Sequence, residues 1–120
     1  MPKRVLSVGN CSSDHANITK ALKKHFDVEL DAVASAKAAT DAVQHRQYDL
    51  ILVNRLFDAN GESGIDWIRM LKPSLQSPIM LISNYPEAHA EAIAAGAVQG
   101  FGKKMVGKPE LVAVVDPYLK

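Results

Sequence analysis

The sequence is poor in several features that define whole classes of protein. Cys11 is its single cysteine, which excludes an intrachain disulfide and any zinc or iron–sulfur centre built from the cysteines of one chain. The longest apolar runs, such as Leu50 to Val53, are far shorter than the roughly 18 residues that span a bilayer, so we expect no membrane contact. The four histidines are spread over three predicted helices with no i, i+4 pair, and we expect neither a metal site nor a cofactor.

An excess of charge of one sign is also missing. The formal net charge is +1, which provides no surplus for binding nucleic acid. Apolar residues make up 48% and charged residues 22% of the chain, a balance typical of one globular domain, here residues 1–120. Residues Met1 to Arg4 lead into a strand-like run without the apolar region of a secretory signal, which favours the cytoplasm.

Short runs rich in Val, Ile and Leu alternate with longer Ala-rich segments, a pattern typical of repeated βα units. The predicted strands are Arg4 to Val8, Val28 to Val33, Leu50 to Asn54, Ile79 to Ser83 and Gly100 to Gly102. The first predicted helix is Ser13 to His25, capped by Ser12, Ser13 or Asp14, and the second is Ala36 to His45. The third ends at Pro73 and buries Ile65, Trp67, Ile68 and Leu71. The fourth begins at Pro86 and ends before Gly96, and the fifth begins at Pro109. Five units predict an α/β fold with a doubly wound parallel sheet and ligand chemistry at the carboxyl ends of its strands.

Four separated segments carry a resemblance to a known family. They are Val5 to Val8, Tyr48 to Val53, Ser77 to Ser83, and Gly96 seven residues ahead of Lys103. In their order and spacing the chain resembles the receiver domain of bacterial response regulators, the CheY-like group. The resemblance implies a single flavodoxin-like sheet of five parallel strands in the order 2-1-3-4-5, with five helices.

The resemblance also places the family's phosphorylation site on this sequence. Two acidic residues of the family fall on Gly9 and Asn10, and the aspartate that accepts the phosphoryl group falls on Asn54. A carboxamide is a poor nucleophile and a neutral ligand, so we expect neither acyl-phosphate formation nor useful Mg²⁺ affinity. Ser83 matches the family's small hydroxyl residue, which contacts the phosphoryl group. Lys103 matches the family's lysine, which pairs with the acceptor carboxylate. Both are candidates for anion binding, although a structural role is favoured.

Other family features are changed as well. The position of the family's switch aromatic residue is Gly100 here, and the proline that follows the family's lysine is Lys104. The Met-Pro pair that usually follows the acceptor is replaced by Phe57-Asp58. The loop that begins there and ends at Gly64 is about two residues longer than is common in the family. Without the family's acids, Lys103 needs a new anion, an acid such as Asp58, or solvent. Two interpretations are open for Asp14, Asp58 and Glu62: they restore some negative charge near the site, or they are cap or loop residues, which is favoured.

Cys11 precedes a predicted helix, as a phosphatase nucleophile would. No arginine follows it before Lys20, so the phosphate clamp of such enzymes is absent, and we interpret the thiol as packing. We expect no catalytic residue.

We therefore predict a degenerate receiver, or pseudo-receiver, that serves two-component signalling without phosphorylation by binding a protein partner or a second copy of itself. The resemblance implies a partner surface on the fourth helix, fifth strand and fifth helix. The fifth helix is more apolar than one inward stripe requires, and the predicted contacts are Leu111, Val114, Val115 and Tyr118. The alternative hypothesis is a flavodoxin-like protein that binds a small anion or a nucleotide phosphate.

Overall fold

The computed structural model describes residues 2–120. Its centre is one parallel sheet of five strands in the order β2-β1-β3-β4-β5, which confirms the predicted fold. The strands are β1 (Lys3–Val8), β2 (Val28–Val33), β3 (Leu50–Asn54), β4 (Ile79–Ile82) and β5 (Val98–Phe101).

Five α-helices connect and follow the strands. They are α1 (Ser12–His25), α2 (Ala36–His45), α3 (Gly64–Leu71), α4 (Pro86–Ala94) and α5 (Pro109–Leu119), with short 3₁₀ helices at Lys72–Ser74 and Lys103–Met105. Among residues 2–120, none of these helices has both the length and the apolar character required to cross a membrane.

Each face of the sheet carries its own apolar core. Along β3, Ile51 and Val53 belong to the cluster covered by α2, α3 and α4, whereas Leu50 and Leu52 belong to the cluster covered by α1 and α5. This alternation follows from the two-residue period of a strand. Trp67 belongs to the first of these clusters and is only 1% exposed. This confirms its predicted inward position.

The fifth strand is the element that the sequence predicts least well. It covers Val98–Phe101 rather than Gly100 to Gly102, and its pairing with β4 steps from Met80–Val98 to Ile82–Phe101. One residue of β4 thus faces two of β5, which is a β-bulge. A bulge interrupts the alternation from which strands are predicted. Ser83 lies just beyond the end of β4.

The cap of α1 also differs from the prediction. The helix begins at Ser12, and its cap is Cys11, whose Sγ accepts a hydrogen bond from the backbone N of Asp14 at 3.4 Å. The thiol therefore occupies the position that a serine or aspartate usually takes at a helix start. This leaves the Asp14 carboxylate free for another contact.

Candidate functional site

Three polar residues are buried in the described chain, and all three lie at or near the carboxyl ends of central strands. Ser7 is 1% exposed, Asn54 7% and Ser83 5%. Two of them were predicted as site residues from the sequence. Because parallel strands end at the same edge of the sheet, this edge is the part of the molecule where ligand chemistry is expected.

The buried amide of Asn54 joins the ends of β3 and β1. Its Nδ2 donates a hydrogen bond to the carbonyl oxygen of Gly9 at 3.1 Å. The backbone N of Asp58 donates to the same oxygen at 2.9 Å. The Gly9 carbonyl thus has two donors, and the side chain at position 54 has the role of a donor, which an ionised carboxylate cannot fill.

Position 9 has no room for a side chain. Gly9 has a φ of +74°, a conformation that residues with a Cβ rarely adopt. A Cβ built there would overlap the ring of Phe57, which is itself 1% exposed. Phe57 therefore fills the space in which an acidic side chain at position 9 would begin.

Asn10 is held on the same edge by its neighbour in β1. Its Nδ2 donates to Oγ of Ser7 at 2.9 Å. Its Oδ1 is buried and has no hydrogen-bond partner among residues 2–120. The unpartnered Oδ1 is an acceptor, so this atom would not attract an anion.

Lys103 has an acidic partner, Asp14. Its Nζ lies 2.9 Å from Oδ2 of Asp14, with 43% of the lysine side chain and 28% of the aspartate side chain exposed. The hydrogen bond from Lys103 holds the pKa of Asp14 below its usual value of 3.8. Asp14 was interpreted as a cap residue and Asp58 was offered as the acid for Lys103. The structure corrects both, because the helix start brings Asp14 to the lysine.

Ser83 is engaged with the start of α4. Its Oγ accepts a hydrogen bond from the backbone N of Tyr85 at 3.1 Å, and its carbonyl oxygen lies 2.7 Å from Nε2 of His89. The Tyr85 ring in turn lies beneath the guanidinium of Arg55, 4.9 Å from its centroid, a cation–π contact. The hydroxyl is thus used to shape the turn that leads into the helix.

A cleft of about 500 Å³ opens over this edge. Asn54, Ser83 and Lys103 line it, together with Arg55 and Asp58. Its lining therefore contains one carboxylate and two cations. Mg²⁺ is bound through one or two carboxylates together with waters or phosphate oxygens. Here the single carboxylate shares the cleft with two cations, so the residues present do not fit a magnesium ion. No group of three His, Cys, Asp or Glu side chains suited to a metal exists within residues 2–120.

The loop after β3 is closed and tied to a neighbouring helix. The backbone N of Phe57 donates to the Glu62 carbonyl oxygen at 2.9 Å. Oε1 of Glu62 accepts from the backbone N of Ala36 at 3.1 Å and from Nδ2 of Asn60. The longer loop is therefore fastened to the first turn of α2, where a carboxylate is favoured. The contact of Glu62 with α2 was not predicted from the sequence.

The position of the family's switch aromatic is closed by the backbone. Gly100 lies in the bulge of β5, and a Cβ there would overlap the carbonyl oxygen of Leu81. The adjacent ring, Phe101, is 1% exposed and packs into the core beneath α1 and α5. A ring that moves between the core and the surface therefore has no place at position 100.

The predicted partner surface needs correction at two residues. Leu111 and Val115 are 1% and 0% exposed and form the inward stripe of α5, so they cannot contact a partner. Val114 and Tyr118 are half-buried at the edge of the same core. Ile93 on α4 is 44% exposed and was not singled out from the sequence.

A groove of about 550 Å³ lies between α4 and β5. Ile93, His89, Gln99, Lys104 and Met105 are among its lining residues.

No family model matches this chain, and no curated protein matches it in sequence. Solved structures do. The BeF3-activated N-terminal receiver domain of Klebsiella pneumoniae RstA is 21% identical, with a TM-score of 0.84 over 98% of this chain and 99% of that one. A protein of Chloroflexus aurantiacus J-10-fl assigned as a response regulator is 19% identical, with a TM-score of 0.85 over 98% of both chains. The receiver domain of TorR, the response regulator of a TMAO respiratory system, is 19% identical, with a TM-score of 0.81 over 97% and 95%.

These likenesses establish the fold. The chain folds as a receiver domain does, with the same sheet order and five helices. At such identities the fold is shared while the site residues are free to differ. The function has to be argued from Asn54, Gly9 and Lys103 themselves.

Proposed function

We propose that this protein is a pseudo-receiver, a non-enzymatic signalling module that works in two-component signalling through protein–protein contact and without phosphorylation. The observation that carries the proposal is the hydrogen bond from Asn54 to the Gly9 carbonyl. A buried donor at the position of the family's phosphoacceptor has a structural role and no nucleophilic one.

Two further contacts support phosphorylation independence. The ring of Phe57 closes the space beside Gly9 where the family has an acid. Asp14 neutralises Lys103, which in the family pairs with the acceptor. In the family, residues at these positions bind metal, accept the phosphoryl group and respond to it. In this chain each of them makes a different contact. A ligand that cannot bind two states differently cannot shift their populations.

We place the partner surface on α4, β5 and α5, centred on the exposed parts of Ile93 and Tyr118 and on the groove between α4 and β5. Apolar side chains at the rim of a groove are typical of contact surfaces. The occupant is a signalling protein or a second copy of this chain.

The test compares Ile93→Glu and Tyr118→Ala with a matched control, Met70→Glu. Met70 is 68% exposed on α3, away from the proposed surface. Self-association is measured by analytical ultracentrifugation, and partner capture from native lysate by quantitative pull-down. We expect either self-association or partner capture to weaken roughly tenfold or more in Ile93→Glu and Tyr118→Ala. The same association should stay unchanged in Met70→Glu. It should also be unaffected by acetyl phosphate with Mg²⁺. Unchanged association in all three variants would contradict the proposed surface, and dependence on acetyl phosphate would contradict phosphorylation independence.

The alternative, a small anion bound by Ser83 and Lys103, has one observation in its favour. The cleft of about 500 Å³ is open, and Arg55 and Lys103 give its lining a positive balance. Against it, Lys103 is already paired with Asp14, which an anion would have to displace. A crystal grown in phosphate distinguishes the hypotheses: an anion bridging Ser83 and Lys103, with Asp14 released, would favour the alternative.

A further inference from the structure

A second concave site lies outside the strand ends, between α1 and the start of α5. It has a volume of about 340 Å³. We call it the basic pocket and define it by its charged lining and its apolar floor. The ionisable lining residues are Lys20, Lys24, His25, Lys103 and Lys108, and the floor contains Ala21, Val106, Leu111 and Val112.

The charges of this pocket are not balanced within it. Its lining includes no acidic residue. Within the described residues, Lys20, Lys24 and Lys108 make no ion pair, whereas Lys103 is paired with Asp14. The acids closest in sequence, Asp27 and Glu110, lie outside the lining. For a chain with a net charge of only +1, this is a local concentration of positive charge.

Helix geometry explains why the lysines converge. Asn17, Lys20, Ala21 and Lys24 are spaced i, i+3, i+4 and i+7 and therefore share one face of α1. Lys20 and Lys24 are like charges four residues apart, an arrangement that weakens an isolated helix. A bound anion would remove this repulsion.

The opposite wall adds the start of α5. This helix of 11 residues begins after Lys108, and no side chain caps it. The backbone there adds little, because Pro109 has no N–H and the backbone N of Leu111 already donates to the carbonyl oxygen of Lys108 at 3.1 Å. This wall therefore contributes the side chain of Lys108, which together with the other lysines suits phosphate oxygens.

We propose that the basic pocket binds a phosphorylated small molecule of the nucleoside diphosphate or triphosphate class. The lysines hold the phosphates, and the apolar floor takes the ring. The volume lies at the lower end of the range for small-molecule sites. An acidic peptide or a nucleic acid would need an extended basic surface, which a chain of this net charge does not provide.

The test is isothermal titration of the full chain with ATP, with pyrophosphate, and with adenosine as the uncharged probe, all without Mg²⁺. The pocket variant combines Lys20→Ala, Lys24→Ala and Lys108→Ala. The charge-matched control combines Lys23→Ala, Lys37→Ala and Lys104→Ala, exposed lysines outside the lining. Because all six side chains are exposed, both variants are expected to fold.

We expect ATP or pyrophosphate to bind the native chain and adenosine not to bind. Loss of three charge contacts should weaken binding roughly tenfold or more in the pocket variant and less than about threefold in the control. Saturating ATP should also raise the melting temperature of the native chain more than that of the pocket variant. Absence of binding at millimolar concentration, equal weakening in both variants, or tighter binding of a polyglutamate peptide than of ATP would each overturn the proposal.

Discussion

Asn54 Nδ2 and the carbonyl oxygen of Gly9 lie 3.1 Å apart and form a buried hydrogen bond between the ends of two central strands. The bond needs a donor at position 54. It also needs the backbone conformation of Gly9, with a φ of +74°, to aim the carbonyl at that donor. Two of the three residues at the positions predicted to correspond to the family's carboxylates are thus partners in one structural contact.

Asn54→Asp should therefore destabilise the protein instead of restoring a receiver. At neutral pH its carboxylate would face the Gly9 carbonyl with no proton to donate, at a cost of about 1 to 3 kcal/mol. The loss should shrink in acid, where the protonated carboxyl group can donate again. Urea unfolding at several pH values measures both effects, with the exposed Asn17→Asp as a control expected to change little. Greater stability of Asn54→Asp than of the native chain would show that the bond has been misjudged.

Gly9→Ala tests the packing of Phe57 against the strand end. Gly61 provides a close control because its φ is +73°, while a Cβ there would meet nothing within 4 Å. Gly61→Ala should cost about 1 to 2 kcal/mol through its backbone conformation. Gly9→Ala should cost about 1 to 3 kcal/mol more because its Cβ overlaps the Phe57 ring. Equal losses in chemical unfolding would mean that Phe57 can move aside and that position 9 can accept an acid.

The ion pair of Asp14 and Lys103 predicts a pH dependence. Lys103 lowers the pKa of Asp14 in the folded state below 3.8, so the pair stabilises the fold above that value and ceases to do so as the pH falls through the lower folded value. Since the pair is partly exposed, Asp14→Asn should cost only about 0.5 to 1 kcal/mol at pH 7. The unfolding free energies of variant and native chain should converge in strong acid. Asp66→Asn, which removes the more exposed pair with Arg69, should show little difference at any pH.

Tyr48 predicts the behaviour in alkali. Burial, followed by the hydrogen bond that its hydroxyl donates to Asp31 at 2.8 Å, raises the pKa of Tyr48 from 10.0 to about 12. A raised pKa in the folded state means that this contribution is complete below pH 10 and is lost as the pH rises towards 12. Absorbance titration should show one of the three tyrosines ionising late. Tyr48→Phe should remove that step and Tyr118→Phe should not, and a late step that survives in Tyr48→Phe would assign it to another residue.

The fold could be predicted where local pattern and tertiary environment agree. The strand Leu50–Asn54 is apolar along nearly its whole length because both its faces are covered, and its bounds were predicted correctly. The strand Val98–Phe101 was misplaced because a bulge around Gly100 breaks the two-residue period. A bulge leaves only a weak signal in a sequence, since a glycine within a strand can equally mark a tight bend or the close approach of another backbone.

The contacts made at the predicted site positions could be predicted only in part. The absence of carboxylates at positions 9, 10 and 54 is visible in the sequence, but the overlap with Phe57 depends on a backbone angle that is not. Lys103 and Asp14 are 89 positions apart, and only the docking of the start of α1 beside the loop after β5 brings them together. The one sequence signal was an acidic residue in the first turn of a helix that begins at the site edge.

The strand edge at Asn54 should be unable to carry the chemistry of a phosphorylated receiver, and one titration tests this most sharply. The isotope-labelled native chain is titrated with beryllofluoride and Mg²⁺ while the amide resonances of Asn54, Ser83 and Lys103 are followed by NMR. We expect no saturable change at these three amides, whatever happens at Lys20 or Lys24 in the basic pocket. Saturable shifts at Asn54 and Ser83 that require both beryllofluoride and Mg²⁺ would contradict the proposal that this protein works without phosphorylation.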